Sequence, residues 1–276
     1  TKDKKLFENL DLSTLRIICT GGEPWTEKPW KWLFEFIGKS KVPIMNSAGG
    51  TEVSGSILHC CLHRPFKVGS FNAPIPGMSA DIVDSKGEKV SADQMGELVM
   101  RKSSIGLTKS LWNDDERYIQ NYWKVIKNDL WVHGDLASKD KDGHWYLHGR
   151  SDDTIKISGK RIGPSELESV IVKSGKVKEV AAVGIPDEGK GSKIILSIVP
   201  AENNDQKESF FEDLVIKDLG KSFKPDKVIF VKDLPKTRNM KIMRRVIKSC
   251  LANQDPGDLS TLLNPESVEE IRSHAI

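Results

Sequence analysis

The stretches LRIICTGG (residues 15–22) and VPIMNSAGGTE (residues 42–52) decide the fold. Each is a short apolar run that ends in a loop with paired glycines, which predicts a buried strand followed by a tight turn. Between them, Trp30, Phe34 and Ile37 recur at helical spacing. The sequence therefore predicts a parallel strand–helix–strand unit, with both loops at the sheet edge where α/β proteins bind ligands.

The rest of the chain changes character twice. From residue 66 to residue 149, short alternating runs are separated by turns such as DSKG (84–87), which predicts hairpins and a small antiparallel β-barrel. After GRSDD (149–153), apolar runs follow in the order β-α-β-β-α-β-α, as in a compact α+β domain. We therefore expect an α/β plus α+β fold. Residues 1–150 are predicted to be the C-terminal part of a large domain that includes the barrel, and residues 151–276 a second domain.

Composition limits the classes of function. Lys and Arg total 42 against 39 Asp and Glu, and the net charge of +3 is too close to neutral to indicate a nucleic-acid partner. The four cysteines form no C-x-x-C pair and the chain shows no signal peptide, so we expect a reducing, cytoplasmic setting. Apolar runs are far shorter than the ~20 residues that span a bilayer, which predicts no membrane association. A charged start without Met predicts a cut inside a longer chain.

Two glycine-rich loops are candidate ligand sites. In GGEP (21–24), glycines after a strand allow the backbone to approach a flat ligand, although an ordinary strand-to-helix turn explains them equally well. In GGTE (49–52), the Thr51 hydroxyl can donate to a phosphate and the Glu52 carboxylate can hold Mg²⁺. The same residue types also suit a helix N-cap, so this motif alone leaves both interpretations open.

Two later segments carry charge. In HGD (133–135), Asp135 follows a strand and can accept two hydrogen bonds from a ribose diol, or it can be a solvated turn residue. PKTRNMKIMRR (235–245) holds five cations within ten residues, at the start of a basic helix that we expect near Lys241. A solvated helix face is the alternative, and no aromatic or motif supports a nucleic-acid patch. The cluster HCCLH (59–63) lacks the ligand spacing of structural zinc sites.

Taken together and in this order, the motifs resemble those of the adenylate-forming superfamily, and within it the acetyl-CoA synthetases and their close acyl-CoA relatives. The matching motifs are GEP (22–24), GTE (50–52), GD (134–135), GRSDD (149–153), SGKRIGPSE (158–166), LPKTR (234–238), KIMRR (241–245) and the tail GDLSTL (257–262). The likeness covers essentially the whole chain. It implies a truncated AMP-binding domain over residues 1–150 and a mobile C-terminal AMP-binding-enzyme domain over residues 151–276.

The resemblance also implies a role for individual residues. Those matched to the nucleotide site are Gly22, Glu23 and Pro24 beside the adenine, Thr51 near the α-phosphate, Asp135 on the ribose hydroxyls, Arg150 on the nucleotide, and Glu52 as the Mg²⁺ carboxylate. Those matched to the remaining functions are Asp152 as the hinge, Ser158, Gly159 and Arg161 in the loop beside the CoA pantetheine tunnel, and Lys241 as the lysine required for adenylation.

The activity implied is that of an AMP-forming acyl-CoA ligase, which converts a carboxylic acid, ATP and CoA into acyl-CoA, AMP and pyrophosphate through an acyl-adenylate. Attack of a carboxylate on the α-phosphate brings two anions together, and the Lys241 ammonium would offset their repulsion. The second step needs the CoA thiol where the lysine stood, so the C-terminal domain must turn about its hinge.

Several departures from the family pattern modify this expectation. Asn239 and Met240 precede the lysine where the family has Ser-Gly, so this loop is expected to be stiffer or differently shaped. Ala48 and Gly49 replace two tryptophans of acetyl-CoA synthetases, one of which floors the acetate pocket. We expect the glycine to open space for an acid larger than acetate. The basic residue that the family pattern places near position 216 to meet the CoA phosphate is absent. Ile216 stands there, and Lys217 lies one position away.

The Ser/Thr/Gly-rich phosphate loop of the family has no counterpart in this chain. We therefore expect the chain to be inactive alone, with the N-terminal half supplied by the same or a separate chain, and its open sheet edge to favour a homo-oligomer. The alternatives are a non-catalytic nucleotide- or CoA-binding remnant and one subunit of a split synthetase. A peptide-synthetase adenylation domain is a further alternative, which the tail and the SGKRIG loop (158–163) disfavour.

Overall fold

The computed structural model of the chain describes residues 5–8, 10–22, 24–25, 27–127, 129–202 and 205–276. The chain divides into two compact units, Thr1–His148 and Gly149–Ile276. Both units mix helices with sheets, and the predicted α/β plus α+β fold class is confirmed. Among the described residues, no helix combines the length and the apolar character that crossing a bilayer requires.

In its described residues, the first unit contains three short helices and eight strands, the last of which runs two residues past the unit's end at His148. The helices are α1 (Lys5–Glu8), α2 (Glu27–Trp32, followed by a π-helical turn at Leu33–Ile37) and α3 (Asp115–Tyr118, followed by a π-helical turn at Ile119–Trp123). The strands are β1 (Ile18–Gly21), β2 (Ile44–Gly50), β3 (Gly55–His59), β4 (Ala73–Pro74), β5 (Ala80–Val83), β6 (Gly96–Met100), β7 (Trp131–Lys139) and β8 (Trp145–Arg150).

The strand–helix–strand unit predicted from the opening stretches is confirmed. Strands β1 and β2 pair in parallel, with Thr20 opposite Asn46 and Gly21 opposite Ser47, and α2 lies between them in the chain. Trp30 is the buried residue of α2, as its helical spacing predicts. The sheet continues antiparallel in the order β1-β2-β3-β4. The loops that follow β1 and β2 therefore emerge from the same edge of the sheet.

The second sheet of this unit corrects the prediction of a small barrel. In the described residues, strands β5, β6, β7 and β8 form an open sheet in that order, and β5 and β8 are its two edges. Closure would require β5 to pair with β8. The start of β8 instead pairs outside this sheet, because Trp145 and Phe71 exchange two backbone hydrogen bonds of 2.8 and 2.9 Å. The hairpins that the turns predict are present, but the sheet is not closed.

The described part of the second unit contains five strands and four helices. They are β9 (Ile155–Ile157), β10 (Lys160–Ile162), α4 (Pro164–Lys173), β11 (Val177–Asp187), β12 (Gly191–Pro200), α5 (Glu208–Leu219), β13 (Lys227–Phe230), α6 (Arg244–Leu251) and α7 (Glu266–Arg272). The predicted elements are present in the predicted order up to α6, whereas the strand β10 and the helix α7 were not predicted. Strands β11, β12 and β13 form one sheet, antiparallel between β11 and β12 and parallel between β12 and β13.

Both faces of this sheet are covered, because the side chains of β11 alternate. Ala181 and Val183 pack with residues of α6 and α7, whereas Val180 and Ala182 pack with residues of α4 and α5. The second unit therefore has a layer of helices on each side of a central sheet, which positions the hairpin that precedes α6.

An ion pair between α4 and α6 adds to this packing. Arg244 donates from Nε and Nη2 to the two carboxylate oxygens of Glu168 at 3.0 and 2.7 Å, and Glu168 also accepts from the backbone N–H of Ala182 at 2.9 Å. The exposed fraction of the two side chains is only 20% and 13%. The carboxylate thus joins α4, α6 and β11 through charge-assisted bonds in a mostly buried place.

We expect Glu168→Gln to lower the free energy of unfolding by about 2–3 kcal/mol, because it leaves the Arg244 guanidinium without its counter-charge. Urea unfolding of the chain, followed by circular dichroism, measures this loss. Glu202→Gln is the matched control, since Glu202 pairs with Lys178 while 84% of its side chain is exposed. Its effect is expected to stay within about 0.5 kcal/mol. Equal losses in the two variants would contradict the assignment.

Candidate functional site

The loop after β1 is shaped by a close approach of two backbones. A Cβ atom on Gly21 would lie 2.8 Å from the carbonyl oxygen of Ser47 on β2. Gly22 has a φ of +105°, a conformation that favours glycine, and nothing crowds its open side. Pro24 is exposed, and Glu23 lies outside the described residues. The glycines of this loop therefore have a structural reason, and they leave a stretch of accessible backbone beside β2.

The loop after β2 turns back through a single helical turn at Thr51–Val53 into β3. The segment around Gly106 closes over it, because a Cβ atom on Gly106 would lie 2.4 Å from the carbonyl oxygen of Val53. The backbone N–H of Thr108 donates to the carbonyl oxygen of Glu52 at 2.7 Å. The position of Glu52 is thus fixed by its own backbone as well as by its side chain.

The Glu52 carboxylate lies among aromatic residues. The Tyr122 hydroxyl donates to Glu52 Oε1 at 3.0 Å, and the Tyr122 ring stacks on Trp131 with 5.2 Å between ring centroids. A Cβ atom on Gly50 would lie 2.8 Å from Glu52 Oε2 and 3.3 Å from the imidazole of His133. Gly50 therefore provides the gap across which Glu52 and His133 face each other.

His133 connects this carboxylate to the residue predicted for the ribose. Its side chain is buried, with an exposed fraction of 7%, and its Nε2 lies 3.2 Å from Oδ2 of Asp135. Gly134 between them has a φ of +84°. The structure thus brings Glu52, His133 and Asp135 into one site next to Thr51. Sequence reasoning missed the roles of Tyr122 and of the His133 ring. The alternation of Trp131, His133 and Asp135 along β7 is the signal for the second of these.

The donor set at Glu52 fits Mg²⁺ that is held mainly by substrate phosphates. Glu52 makes no ion pair with a described residue, and Oε2 makes no hydrogen bond to one. The part of the chain that the structure describes contains no group of three or more His, Cys, Asp or Glu side chains placed to hold a metal. Mg²⁺ commonly takes one or two carboxylates plus phosphate oxygens and water, so a single carboxylate suffices.

The residues predicted for the acyl pocket lie at an irregularity between β2 and β3. Ala48 is opposite Leu58, Gly49 is opposite Ser56, and the register shifts between these two pairs. A Cβ atom on Gly49 would lie 2.1 Å from the carbonyl oxygen of Gly55, so the β3 backbone fills the space beside it. A tryptophan at position 49 would require a different path of β3. Gly49 therefore permits the close approach of β3 at the register shift, and it does not open the space beside it that the sequence led us to expect.

In the second unit, the residues predicted for the nucleotide and the hinge contact each other. Arg150 donates from Nε and Nη2 to the carboxylate of Asp152 at 3.0 and 3.3 Å. The exposed fractions of the two side chains are 42% and 69%, so this pair contributes little to stability. Burial raises the pKa of the neighbouring Asp153, and the charge of Asp152 adds to that effect.

The residues predicted for CoA lie on the hairpin between β9 and β10. Ser158 and Gly159 have φ values of +47° and +80°, as the two central residues of a tight hairpin turn require. Arg161 follows on β10, exposed and opposite Lys156. The three residues therefore lie together on one exposed hairpin.

Lys241 lies on a second hairpin, and this corrects the prediction of a helix near Lys241. The helix α6 begins at Arg244, and Thr237 pairs with Lys241 through a backbone hydrogen bond of 2.9 Å. The side chain of Lys241 is exposed. Met240 has a φ of +63°, which costs a residue with a Cβ roughly 1–2 kcal/mol. The loop therefore takes a backbone suited to the glycine that the family pattern has at this position.

Two family models match the chain. Residues 1–112 match the model described as AMP-binding enzyme, and residues 166–241 match the AMP-binding enzyme C-terminal domain. The first match includes the Thr51 and Glu52 loop, and the second ends at Lys241.

Curated relatives include acetyl-coenzyme A synthetases. The one from Methanothrix soehngenii is 37% identical over 273 residues, which make up 96% of this chain and 40% of that protein. The one from Pasteurella multocida is 36% identical over 272 residues, covering 95% of this chain and 42% of that protein. The chain thus spans about two fifths of the length of the curated relatives that it matches.

Solved structures agree in fold. Acetoacetyl-CoA synthetase from Streptomyces lividans superposes with a TM-score of 0.83 at 22% identity, over 96% of this chain and 41% of that chain. The anthranilate CoA ligase AuaEII, solved with anthranoyl-AMP, gives a TM-score of 0.71 at 28% identity, over 87% of this chain and 45% of that chain.

Proposed function

Because the chain belongs to the AMP-binding enzyme family, we propose that it forms the carboxy-terminal part of an AMP-forming acid–thiol ligase of the acyl-CoA synthetase type. The observation that carries the proposal is the position of Lys241, an exposed ammonium on a hairpin at the end of the segment that matches the C-terminal family model. The reaction joins a carboxylic acid to CoA and splits ATP into AMP and pyrophosphate.

In this proposal, the residues matched to the nucleotide site bind the nucleotide. Gly22, Glu23 and Pro24 line the adenine, Thr51 reaches the α-phosphate, and Asp135 and Arg150 bind the ribose and the nucleotide. The buried His133 fixes the orientation of Asp135 through their 3.2 Å contact. Glu52 would hold Mg²⁺, which would supply positive charge to the phosphate oxygens of the nucleotide.

Lys241 acts in the first step. A carboxylate oxygen of the acid forms a bond to the α-phosphorus while the bond from that phosphorus to pyrophosphate breaks. The ammonium of Lys241 lies between the two anions and stabilises the negative charge that spreads in the transition state. In the second step the CoA sulfur attacks the acyl carbon, and AMP leaves with the electron pair.

The second step needs a different set of residues. Ser158, Gly159 and Arg161 on the β9–β10 hairpin approach the pantetheine of CoA, and Asp152 is the hinge about which the second unit turns. The exposed Arg150–Asp152 pair can break without loss of buried structure, which suits a segment that changes its dihedral angles. The four cysteines are unpaired, which is consistent with the cytoplasmic setting that we propose.

We expect the acid to be larger than acetate, although the curated relatives named here are acetyl-coenzyme A synthetases. Ala48 and Gly49 stand where acetyl-CoA synthetases carry two bulky tryptophans. Because the β3 backbone fills the space beside Gly49, the room for a longer acid in this proposal comes from the indole that is absent at position 48. Pyrophosphate release by the full-length protein, measured with acetate, propionate, butyrate and hydroxybutyrate, tests this. The kcat/KM for a four-carbon acid should exceed that for acetate by about 10-fold or more. A preference for acetate would contradict the proposal.

The same assay tests whether the chain needs further sequence. Because the chain spans about 40% of its relatives, we propose that adenylation requires the remaining part, supplied in the same chain or by a separate one. The full-length protein should release pyrophosphate, whereas this chain alone should not. Release by neither, with any acid and with Mg²⁺ and CoA present, would favour the alternative of a non-catalytic nucleotide- or CoA-binding remnant.

A further inference from the structure

A buried lysine lies at the base of the hairpin that carries Lys241. Lys236 has an exposed fraction of 5%, and its Nζ lies 2.6 Å from both Asp233 Oδ1 and Glu179 Oε2. Burial acts against the charged form, but the hydrogen bond to Asp233 and the ion pair with Glu179 prevail, and the pKa of Lys236 is raised. Its ammonium is therefore charged at neutral pH and held by two carboxylates.

Asn264 completes this arrangement from the C-terminal segment. It is buried, with an exposed fraction of 7%. Its Oδ1 accepts from the backbone N–H of Lys236 at 3.0 Å, and its Nδ2 donates to Asp233 Oδ2 at 2.7 Å and to the carbonyl oxygen of Leu234 at 2.8 Å. We name Glu179, Asp233, Lys236 and Asn264 the anchor network.

Backbone pairing extends the anchor network along the hairpin. Lys236 pairs with Ile242 across the hairpin, and on its other side Thr237 pairs with Leu262. The backbone N–H of Leu263 donates to the carbonyl oxygen of Lys236 at 2.8 Å. One arm of the hairpin therefore lies against the C-terminal segment, and the exposed residues next to Lys241 form its tip.

The C-terminal segment is itself held in place. The Arg245 guanidinium donates to the carbonyl oxygen of Pro256, and also to that of Asp258 at 2.8 Å. Thus the tail, the hairpin and the first turn of α6 form one hydrogen-bonded assembly. A change in the tail would be transmitted to the hairpin.

In the anchor network Lys236 is buried, whereas the side chains of Glu179 and Asp233 are partly exposed. An ion pair with a buried member is a poor source of stability, since an apolar replacement is often as stable. Such networks are better suited to fixing one register among alternatives. A slip of the hairpin by one residue would send the Lys241 side chain to its opposite face. The anchor network opposes such a slip, because a shifted Lys236 would lose its contacts with Glu179 on β11 and with Asn264 in the C-terminal segment.

We propose that Lys236 and Asn264 are positioning residues for adenylation, which fix the hairpin so that the Lys241 ammonium is presented at a set place. The inference rests on the proposed function, in which Lys241 is the reacting lysine. Neither residue touches a substrate in this proposal. Each acts through the backbone of the hairpin.

Lys236→Met and Asn264→Leu in the full-length protein test the inference. The kcat for adenylation should fall about 10- to 100-fold, because small misplacements of a reacting group carry costs of this size. The KM for ATP and thioester formation from supplied acyl-adenylate should change less than about threefold. Lys236→Arg should recover part of the lost kcat. The matched control is Lys224→Met, since Lys224 also pairs with a carboxylate, at 2.9 Å from Glu212, but outside the hairpin.

A second measurement does not depend on activity. Hydrogen exchange of the backbone amides of Thr237 and Met243 should be faster in Lys236→Met and Asn264→Leu and unchanged in Lys224→Met. If the wild-type protein released no pyrophosphate, the proposed function would fail, and exchange would still decide whether the anchor network holds the hairpin. Unchanged kcat and unchanged exchange in a folded Asn264→Leu or Lys236→Met variant would overturn the inference. Equal loss of both half-reactions would overturn it too, because that indicates a general structural role.

Discussion

Lys241→Ala is expected to slow acyl-adenylate formation by the full-length protein about 10²- to 10³-fold, the range typical of removing one preorganised transition-state contact. Thioester formation from supplied acyl-adenylate should stay within about twofold, since the ammonium is needed only where the carboxylate meets the α-phosphate. Pyrophosphate release reports the first half-reaction, and formation of acyl-CoA from the purified adenylate reports the second.

The position of Lys241 allows a loss of activity to be distinguished from a loss of stability. The Lys241 side chain is exposed, and only its backbone takes part in the hairpin, through Thr237. Its truncation should therefore leave the melting temperature unchanged. Lys232→Ala is the matched control, because it removes another exposed lysine of the second unit. If Lys241→Ala impaired both half-reactions equally, or neither, the assigned role of the lysine would be wrong.

The parts of the fold that the sequence predicts well depend on local patterns. The parallel pairing of β1 with β2 follows from two apolar runs and one amphipathic helix. The barrel was not confirmed because its closure depends on pairing between distant strands. The bridge between Phe71 and Trp145 joins residues 74 positions apart, and no local pattern indicates it.

The same distinction separates the parts of the candidate site. Motifs indicate Glu52, Asp135 and Lys241, because a short motif can be recognised within a few residues. The prediction that Asp135 follows a strand was wrong, since it lies within β7. Tyr122 lies 70 positions from Glu52, and its hydroxyl contact depends on packing that brings the two together. Lys236 is similar, because a lysine in a cationic stretch suggests a solvated surface. It is instead buried by partners from two other segments, Glu179 on β11 and Asn264 near the C-terminus.

The second large effect is expected at Glu52. Glu52→Gln should raise the Mg²⁺ concentration needed for half-maximal pyrophosphate release by the full-length protein about 100-fold, because the amide is a much weaker ligand for a hard cation. Gln keeps an oxygen that can accept from the Tyr122 hydroxyl, so the loop should keep its conformation. Measuring release against Mg²⁺ at saturating ATP gives the shift directly.

Tyr122→Phe separates the role of the carboxylate from that of its support. It leaves Glu52 charged but removes the 3.0 Å hydrogen bond that orients Oε1. Loss of such a supporting contact typically weakens a metal site about 10-fold or more, so the shift should be smaller than for Glu52→Gln. Glu88→Gln serves as the control, since Glu88 is an exposed carboxylate that pairs with Lys127. An unchanged Mg²⁺ dependence in Glu52→Gln would refute the metal assignment. The shift in Mg²⁺ dependence should be large for Glu52→Gln, smaller for Tyr122→Phe and absent for Glu88→Gln. This order would mean that the Tyr122 hydroxyl orients the Glu52 carboxylate for binding the cation.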